Sequence, residues 1–491
     1  THKLQYKLVG YLAQSKSITI SVNDTLLETV ALEQDSKQLN IVVISAGRFE
    51  QNLNEVTVSM EVLKPSLVEN KGIQSMENAI DQVPGVNVID GQANIRGGSG
   101  FSYGAGSRVL LMVDEMPMLT ADAGDVKWNF LPIENCEQVE VIKGASSALF
   151  GSSAMNGVIN FRTAFARDEP QTKINFIAGV YDKHKRKELV WWKDANPTYT
   201  GTNFFHAQKI NNLDVVVGGN LYNDQGYRYL ETEQRYRGNI NLRYTVEKLR
   251  GLQIGVNTNV LTAKGGLFLI WVDPDSALYP AGGDLSHYKN FRVNVDPYLI
   301  FRTKKDAKHT LRSRFFRSVN LNTANQESTA DVYYTEYQYQ KQFKKELTWT
   351  AGAVYNYNEV YADSLYGTHF NANASVYTQL DKKWKRLTAS VGIRAEYFKT
   401  DSIETKETIY FLLDQSKPLA KQSKIKPVVR LGLNYRLLKT TYLRASAGQG
   451  FRFPSIAERF IRTSASGLEI YPNDSLQPES GWSTELGIKQ L

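Results

Sequence analysis

From about residue 165 onward, apolar and polar residues alternate in runs too long for an ordinary soluble sheet, and nothing else in the chain limits its fold so strongly. In "KRLTASVGIRAEYF", Leu387, Ala389, Val391, Ile393, Ala395 and Tyr397 share one face, while Thr388, Ser390, Gly392, Arg394 and Glu396 share the other. "VRLGLNYR" repeats the pattern, with Val429, Leu431, Leu433 and Tyr435 set against Arg430, Gly432, Asn434 and Arg436. Many such runs span about 11 to 16 residues, whereas globular strands average about 5 to 6 and a strand crossing a tilted barrel wall needs about 10. The connections alternate as well. "KINNL", "EKLRG", "TKKDAK", "KQFKKE", "DKKWKR" and "RLLKTT" are short, and 183–200, 224–235, 264–288, 401–423 and 451–479 are long. Short turns at one rim and long loops at the other are the mark of a membrane-spanning antiparallel barrel, here of roughly 14 strands.

The segment before it has a different character. Residues 1–38 carry the strands "KLQYKLVGY", "SITISV" and "ETVALEQ" and read as the end of a small β-sandwich. Residues 39–163 read as an α+β module. "SMENAIDQVPGV" is a helix with Ser75 as N-cap, stopped by Pro84 and Gly85. "RVLLMVDEMP" is a buried strand ending at an acidic turn, and "VKWNFLPIENCEQVEVIKG" is helix, turn and strand. In "VEVIKGASSALFGSSAMNGVINFRT" two strands flank small residues punctuated by Gly144, Gly151 and Gly157, so this segment packs closely against something.

Composition removes several function classes. No run approaches the roughly 20 apolar residues of a membrane helix, which says nothing against strands. The single cysteine, Cys136, permits no intrachain disulfide, and the six histidines lack ligand spacing, so no metal site or cofactor is expected. The net charge of +8 comes from lysines and arginines scattered over turn tips, not a nucleic-acid-binding stripe. GxxxxGK[ST], HExxH and GxSxG are all missing, so an enzyme is not expected.

At this point the residues resemble a known family, the TonB-dependent outer-membrane receptors. "VPGVNV" with "ANIRGG", "RVLLMVDEMPM" and above all "IENCEQVEVIKGASSALFGSSAMNGVINFRT" are similar to the family's plug, although Glu115 stands where the family usually has Gly. "GFRFPSIAERF" and "LQPESGWSTELGIK" resemble its barrel motifs. The resemblance implies a mainly β fold: an α+β plug (39–163) inside a transmembrane antiparallel β-barrel (164–491), preceded by the tail of a carboxypeptidase-regulatory-like domain (1–38). Family barrels have about 22 strands, so the chain is expected to be a piece of a longer receptor, cut at its N-terminus and lacking about eight strands.

The same resemblance implies a receptor in the outer membrane of a Gram-negative bacterium, importing a ferric siderophore, cobalamin or similar metal complex. Its partners would be a TonB-type protein, a small-molecule or oligomeric ligand and outer-membrane lipid, with a surface lipoprotein as a further candidate. Ile41, Val42, Val43, Ile44, Ser45 and Ala46 resemble the box to which TonB adds a strand. Arg96 and Lys143 match the plug's basic motif positions and Glu485 the barrel's acid, which implies a plug–barrel ion cluster. Phe101, Tyr103, Phe268, Trp271, Asp273 and Tyr279, on outward loops, are the ligand-binding candidates. A SusC-like glycan or peptide importer is the main alternative, and a β-rich adhesin or soluble binding protein the next.

Overall fold

The computed structural model describes residues 2–6, 14–19, 30, 41–99, 105–282, 285–344, 346–401, 423–465, 468–473 and 476–490. Strands β1 (His2–Tyr6) and β2 (Gln14–Ile18) form an antiparallel ladder. The third strand expected around "ETVALEQ" lies outside the described residues, residue 30 apart.

An inner module follows. Its elements are β3 (Val42–Val43), β4 (Gln51–Asn52), β5 (Ser59–Leu63), α1 (Pro65–Asn70), α2 (Met76–Ile80), β6 (Val86–Ile89), β7 (Gln92–Ile95), β8 (Val109–Val113), β9 (Met116–Pro117), β10 (Cys136–Lys143), α3 (Ser147–Phe150) and β11 (Gly157–Thr163). Five of them form a mixed sheet in the order β5-β10-β11-β8-β9, in which β11 and β8 run parallel. All five residues of β8 are buried, as an unbroken apolar run requires of a strand covered on both faces. Val109, Leu111 and Val113 face one cluster with Met76, Ile80 and Phe130; Leu110 and Met112 face another with Val43, Val56 and Phe150. Cys136 is buried in the first.

Two local expectations change. Ser75 stands at the N-cap of α2, but its hydroxyl makes no capping hydrogen bond, and the helix is only five residues long. The helix expected in "VKWNFLPIEN" is replaced by two 3-10 turns, Trp128–Phe130 and Ile133–Asn135, separated by Pro132, which lacks the N–H needed to continue.

The glycines answer the packing question. Gly151, at φ +82°, leaves α3, and a Cβ there would lie 2.6 Å from the Arg394 guanidinium. A Cβ on Gly157 would lie 2.2 Å from the carbonyl oxygen of Ile142, so only glycine lets β10 and β11 meet at that end.

Around the module runs a 14-stranded antiparallel meander in strict chain order. Its strands are β12 (Gln171–Val180), β13 (Thr198–Ile210), β14 (Leu213–Asp224), β15 (Glu233–Thr245), β16 (Leu252–Leu267), β17 (Ser286–Arg302) and β18 (Ala307–Asn322). It continues with β19 (Ser328–Phe343), β20 (Leu347–Ala362), β21 (Gly367–Lys383), β22 (Leu387–Thr400), β23 (Ser423–Arg436) and β24 (Thr441–Arg452). After α4 (Ile456–Phe460) and the small hairpin of β25 (Thr463–Ala465) and β26 (Leu468–Ile470), β27 (Glu479–Gln490) completes the row beside β24. The polarity of this wall is inverted relative to a soluble protein. On β22, Val391 and Ile393 are 54% and 49% exposed, whereas Arg394 and Glu396 are 4% and 2% exposed against the module.

Gly157→Ala is expected to force β10 and β11 apart and destabilise the module by about 1–3 kcal/mol. Gly238→Ala, with nothing within 4 Å of the new Cβ, should be far milder. Thermal unfolding of both variants in detergent checks the difference.

Candidate functional site between the inner module and the wall

An inward-facing polar wall can hold a separate module only by matching its charges and backbone groups, and the structure does so on strand after strand. Arg237 of β15 pairs with Glu134, and Asn257 of β16 donates to Asp114. Arg314 of β18 is held by Asp296 of β17 and donates to the carbonyls of Met116 and Pro117. Asn434 of β23 donates to the carbonyls of Asn54 and Val56.

The box-like segment is folded into this interface. Val42 and Val43 pair with Asn52 and Gln51, and Val43 is fully buried. The next two amides, of Ile44 and Ser45, donate to the buried carboxylate of Glu140, Ser45 at 2.7 Å, and Asn160 donates to the Ser45 hydroxyl. Two residues beyond Ala46, Arg48 reaches across to the wall. Its Nη1 lies 2.8 Å from both oxygens of Glu336 on β19, and Nη2 donates to the Leu149 carbonyl. The side chains of this pair are 1% and 0% exposed, and the Tyr377 hydroxyl also donates to Glu336. Burial is the largest single influence and works against the charge on Arg48, but Glu336, the neighbouring Tyr377 and Tyr334 and the Glu115 carboxylate together outweigh it and hold the guanidinium well above its ordinary pKa.

Glu336 links this contact to the acidic turn. Asp114 and Glu115 have φ of 52° and 66°, both left-handed, as a type I′ hairpin turn demands. A non-glycine residue held there costs on the order of 1–2 kcal/mol. Glu115 offsets that cost by pairing with Arg312 at 2.9 Å, and Arg312 lies 3.5 Å from Glu336. Burial opposes the charge on Glu115, but Arg312 and then Arg48 outweigh it, so its carboxyl is held below the usual range.

Of the expected ion cluster, the structure brings two members together and leaves one apart. Arg96 Nη1 lies 3.0 Å from Glu485 Oε2. Lys143 does not join them: it lies at the end of β10 opposite Ser59, and its ammonium turns to Glu61 at 3.4 Å. The second cation on Glu485 is Arg444, from the adjoining strand β24, at 3.2 Å. Arg96 is 43% exposed, so this group is a half-wet contact, not a sealed one. A second group joins Arg108 to Glu479 by two hydrogen bonds, and Arg452 pairs with both Glu479 and Glu458. There Ser455 and Glu458 form the capping box of α4.

On the loops, Phe101 and Tyr103 lie outside the described residues. Phe268 is buried under the Arg228 guanidinium, 4.2 Å from the ring centre. Asp273 spends its carboxylate on the amides of Asp275 and Ser276. Trp271 is half exposed, and Tyr279 joins an aromatic nest with Tyr229, Trp191, Trp192 and Tyr227. Of that nest sequence reasoning found only Tyr279, although "WW" and "YRY" within two long loops were the available signal.

A polar module seated against the inward face of a greasy-outside sheet defines a plugged outer-membrane receptor, and comparison with known proteins gives the family. The TonB-dependent Receptor Plug Domain matches residues 52–158, and the TonB dependent receptor-like beta-barrel matches residues 166–491. The chain belongs to the TonB-dependent receptors, which are transport receptors of the Gram-negative outer membrane. The "Vitamin B12 transporter BtuB" of Vibrio vulnificus strain CMCP6 is 23% identical over 491 residues, covering 96% of this chain and 72% of that protein. The solved siderophore receptor PirA of Pseudomonas aeruginosa aligns with a TM-score of 0.68 at 14% identity, covering 90% of this chain and 72% of its own. The Serratia marcescens hemophore receptor HasR, solved as a double mutant with its hemophore HasA and heme, aligns at 0.69 with 12% identity, covering 88% and 69%.

Glu336→Gln removes the charge that holds two buried arginines and should cost about 3–5 kcal/mol. A nitroxide at Val42→Cys should become more mobile in that background, as read by electron paramagnetic resonance. For Glu115, whose folded pKa is depressed, the stabilisation is complete above the unfolded value near about 4.3 and is lost as pH falls through the lower folded value. The gap in melting temperature between the native chain and Glu115→Gln should therefore be full near neutral pH and close in strong acid.

Proposed function

We propose that the chain imports a bulky metal complex, a cobalamin-type corrinoid or a ferric siderophore, and that residues 41–46 receive the TonB pull that loosens the plug. The buried contact between Arg48 and Glu336 carries this reading. It ties the chain two residues past the box directly to the wall, so traction on the box is transmitted to that contact. The division into a sandwich tail (1–38), plug (39–163) and barrel (164–491) fits this use, with Arg96, Arg444 and Glu485 as a second plug–wall attachment. Lys143 serves the plug internally, through Glu61.

The aromatic nest and the half-exposed Trp271 support a cargo with a broad flat or apolar face, because such rings add affinity beyond simple area burial. The similarity to a named vitamin B12 transporter favours the corrinoid over the glycan or peptide alternative. Outer-membrane lipid would surround the wall, and a surface lipoprotein would have the long loops to sit on.

Binding is tested by titrating the purified receptor with cyanocobalamin and, separately, with a ferric siderophore. One of them should bind, and Trp271→Ala should weaken it by about tenfold, the loss of one modest hot spot. Binding of neither, with retention of oligosaccharides instead, would move the assignment to a glycan importer.

A further inference from the structure

Three consecutive wall strands repeat one inward motif that the contacts between module and wall do not use up. "NIN" on β15, "NTN" on β16 and "NVD" on β17 place Asn239 and Asn241, Asn257 and Asn259, and Asn294 and Asp296 on the concave face, all of them buried. The register sets them out as a grid. Asn241, Asn257 and Asp296 stand side by side in one row, and Asn239, Asn259 and Asn294 in the next. With Asp114, Phe130 and Thr163 of the module they line a cavity of about 20 Å³, room for a single water-sized occupant.

The amide nitrogens of this grid are already spent. Asn239 donates to Glu134, Asn241 to the Thr163 hydroxyl, Asn257 to Asp114, Asn259 to the Phe130 carbonyl and Asn294 to Asp296. Each acceptor fixes which way its amide is turned, so the oxygen is the end left over. The Asn239 oxygen accepts from Asn135. Those of Asn257 and Asn259, on residues 6% and 5% exposed, accept nothing among the described residues. Asn241 and Asn294 bring two more amide oxygens to the same cavity. A buried acceptor without a partner is costly, and two in succession on one face of one strand need a common explanation.

Charge identifies the partner. Asp296 is neutralised by Arg314 through two hydrogen bonds. Asp114 forms no ion pair among the described residues. Its carboxylate accepts from the Thr163 amide, the Thr163 hydroxyl and the Asn257 amide, three neutral donors that call for the ionised form. Burial meanwhile pushes that carboxyl above its usual range. A positive charge beside it reconciles the two. A water has only two hydrogens to give and brings no charge, whereas a hard cation satisfies every oxygen around it, and neutral carbonyl oxygens are among its ordinary ligands.

We propose that this cavity binds one dehydrated monovalent cation of sodium's size, held by the amide oxygens of Asn241, Asn257, Asn259 and Asn294 and balanced by Asp114. One uncompensated carboxylate matches one positive charge. The grid belongs to the wall and Asp114 to the module, so the ion clamps the acidic turn in its seat. This site depends neither on the cargo nor on traction at residues 41–46.

The test compares thermal unfolding of the purified chain in detergent, in sodium chloride and in choline chloride at equal ionic strength. Sodium should raise the melting temperature by a few degrees over choline, and the increment should grow with sodium concentration as linkage to one bound ion requires. Asn257→Leu with Asn259→Leu should abolish the increment. Asn241→Asp adds a second carboxylate and should make the chain respond to calcium more strongly than the native chain does, a gain that misfolding cannot produce. No rise in sodium over choline, a rise that survives the leucine pair, or an aspartate variant with the native response to calcium would overturn the proposal.

Discussion

A sheet that must offer hydrocarbon to the bilayer has to turn its polar side chains inward, because the bilayer core gives backbone and charge no other partner. Everything inside the wall follows from that reversal. Arginines, asparagines and carboxylates crowd the concave face, and a module that fills the lumen displaces their water and must meet them with polar groups of its own. The module supplies those groups. Its two apolar clusters hold it together, and its outer carbonyls and charges join it to the wall. Such an interface is strong when complete, yet a single broken partner leaves a costly buried charge behind.

Within this interface the acidic turn and the box-proximal segment are distant in sequence but share one carboxylate. Glu336 accepts from Arg48 and Tyr377 and lies close to Arg312, which pairs with Glu115. A strained turn is thereby connected, through the wall, to the segment that folds beneath it. Asn160 adds a second link, accepting from the Glu115 amide and donating to the Ser45 hydroxyl.

Much of the architecture could be read from residue order because its causes are local. Period-two alternation located the wall strands, and the polarity seen at Val391 and Arg394 is what that alternation requires in lipid. The unbroken "VLLMV" marked a strand buried on both faces. The glycines of the signature segment announced close contact without naming the neighbour, which proved to be Ile142 for Gly157 and Arg394 for Gly151. The ionic partners were harder. Lys143 and Arg444 are both basic and both near Glu485 in the topology; only the side-chain directions set by β10 and β24 decide that Arg444 reaches it. The pairing of Arg48 with Glu336 spans 288 positions and leaves no trace in local pattern. Glu115 was visible as an oddity, but the compensation by Arg312 required the fold.

The lone thiol of the chain has a practical meaning. Cys136 is shut inside the module's apolar cluster, where reagents in water reach it poorly. Engineered cysteines can therefore be added one or two at a time across the seam between module and wall. Cross-linkers or fluorescent reporters would then attach at chosen positions against a quiet background, and the order in which the contacts part could be timed directly.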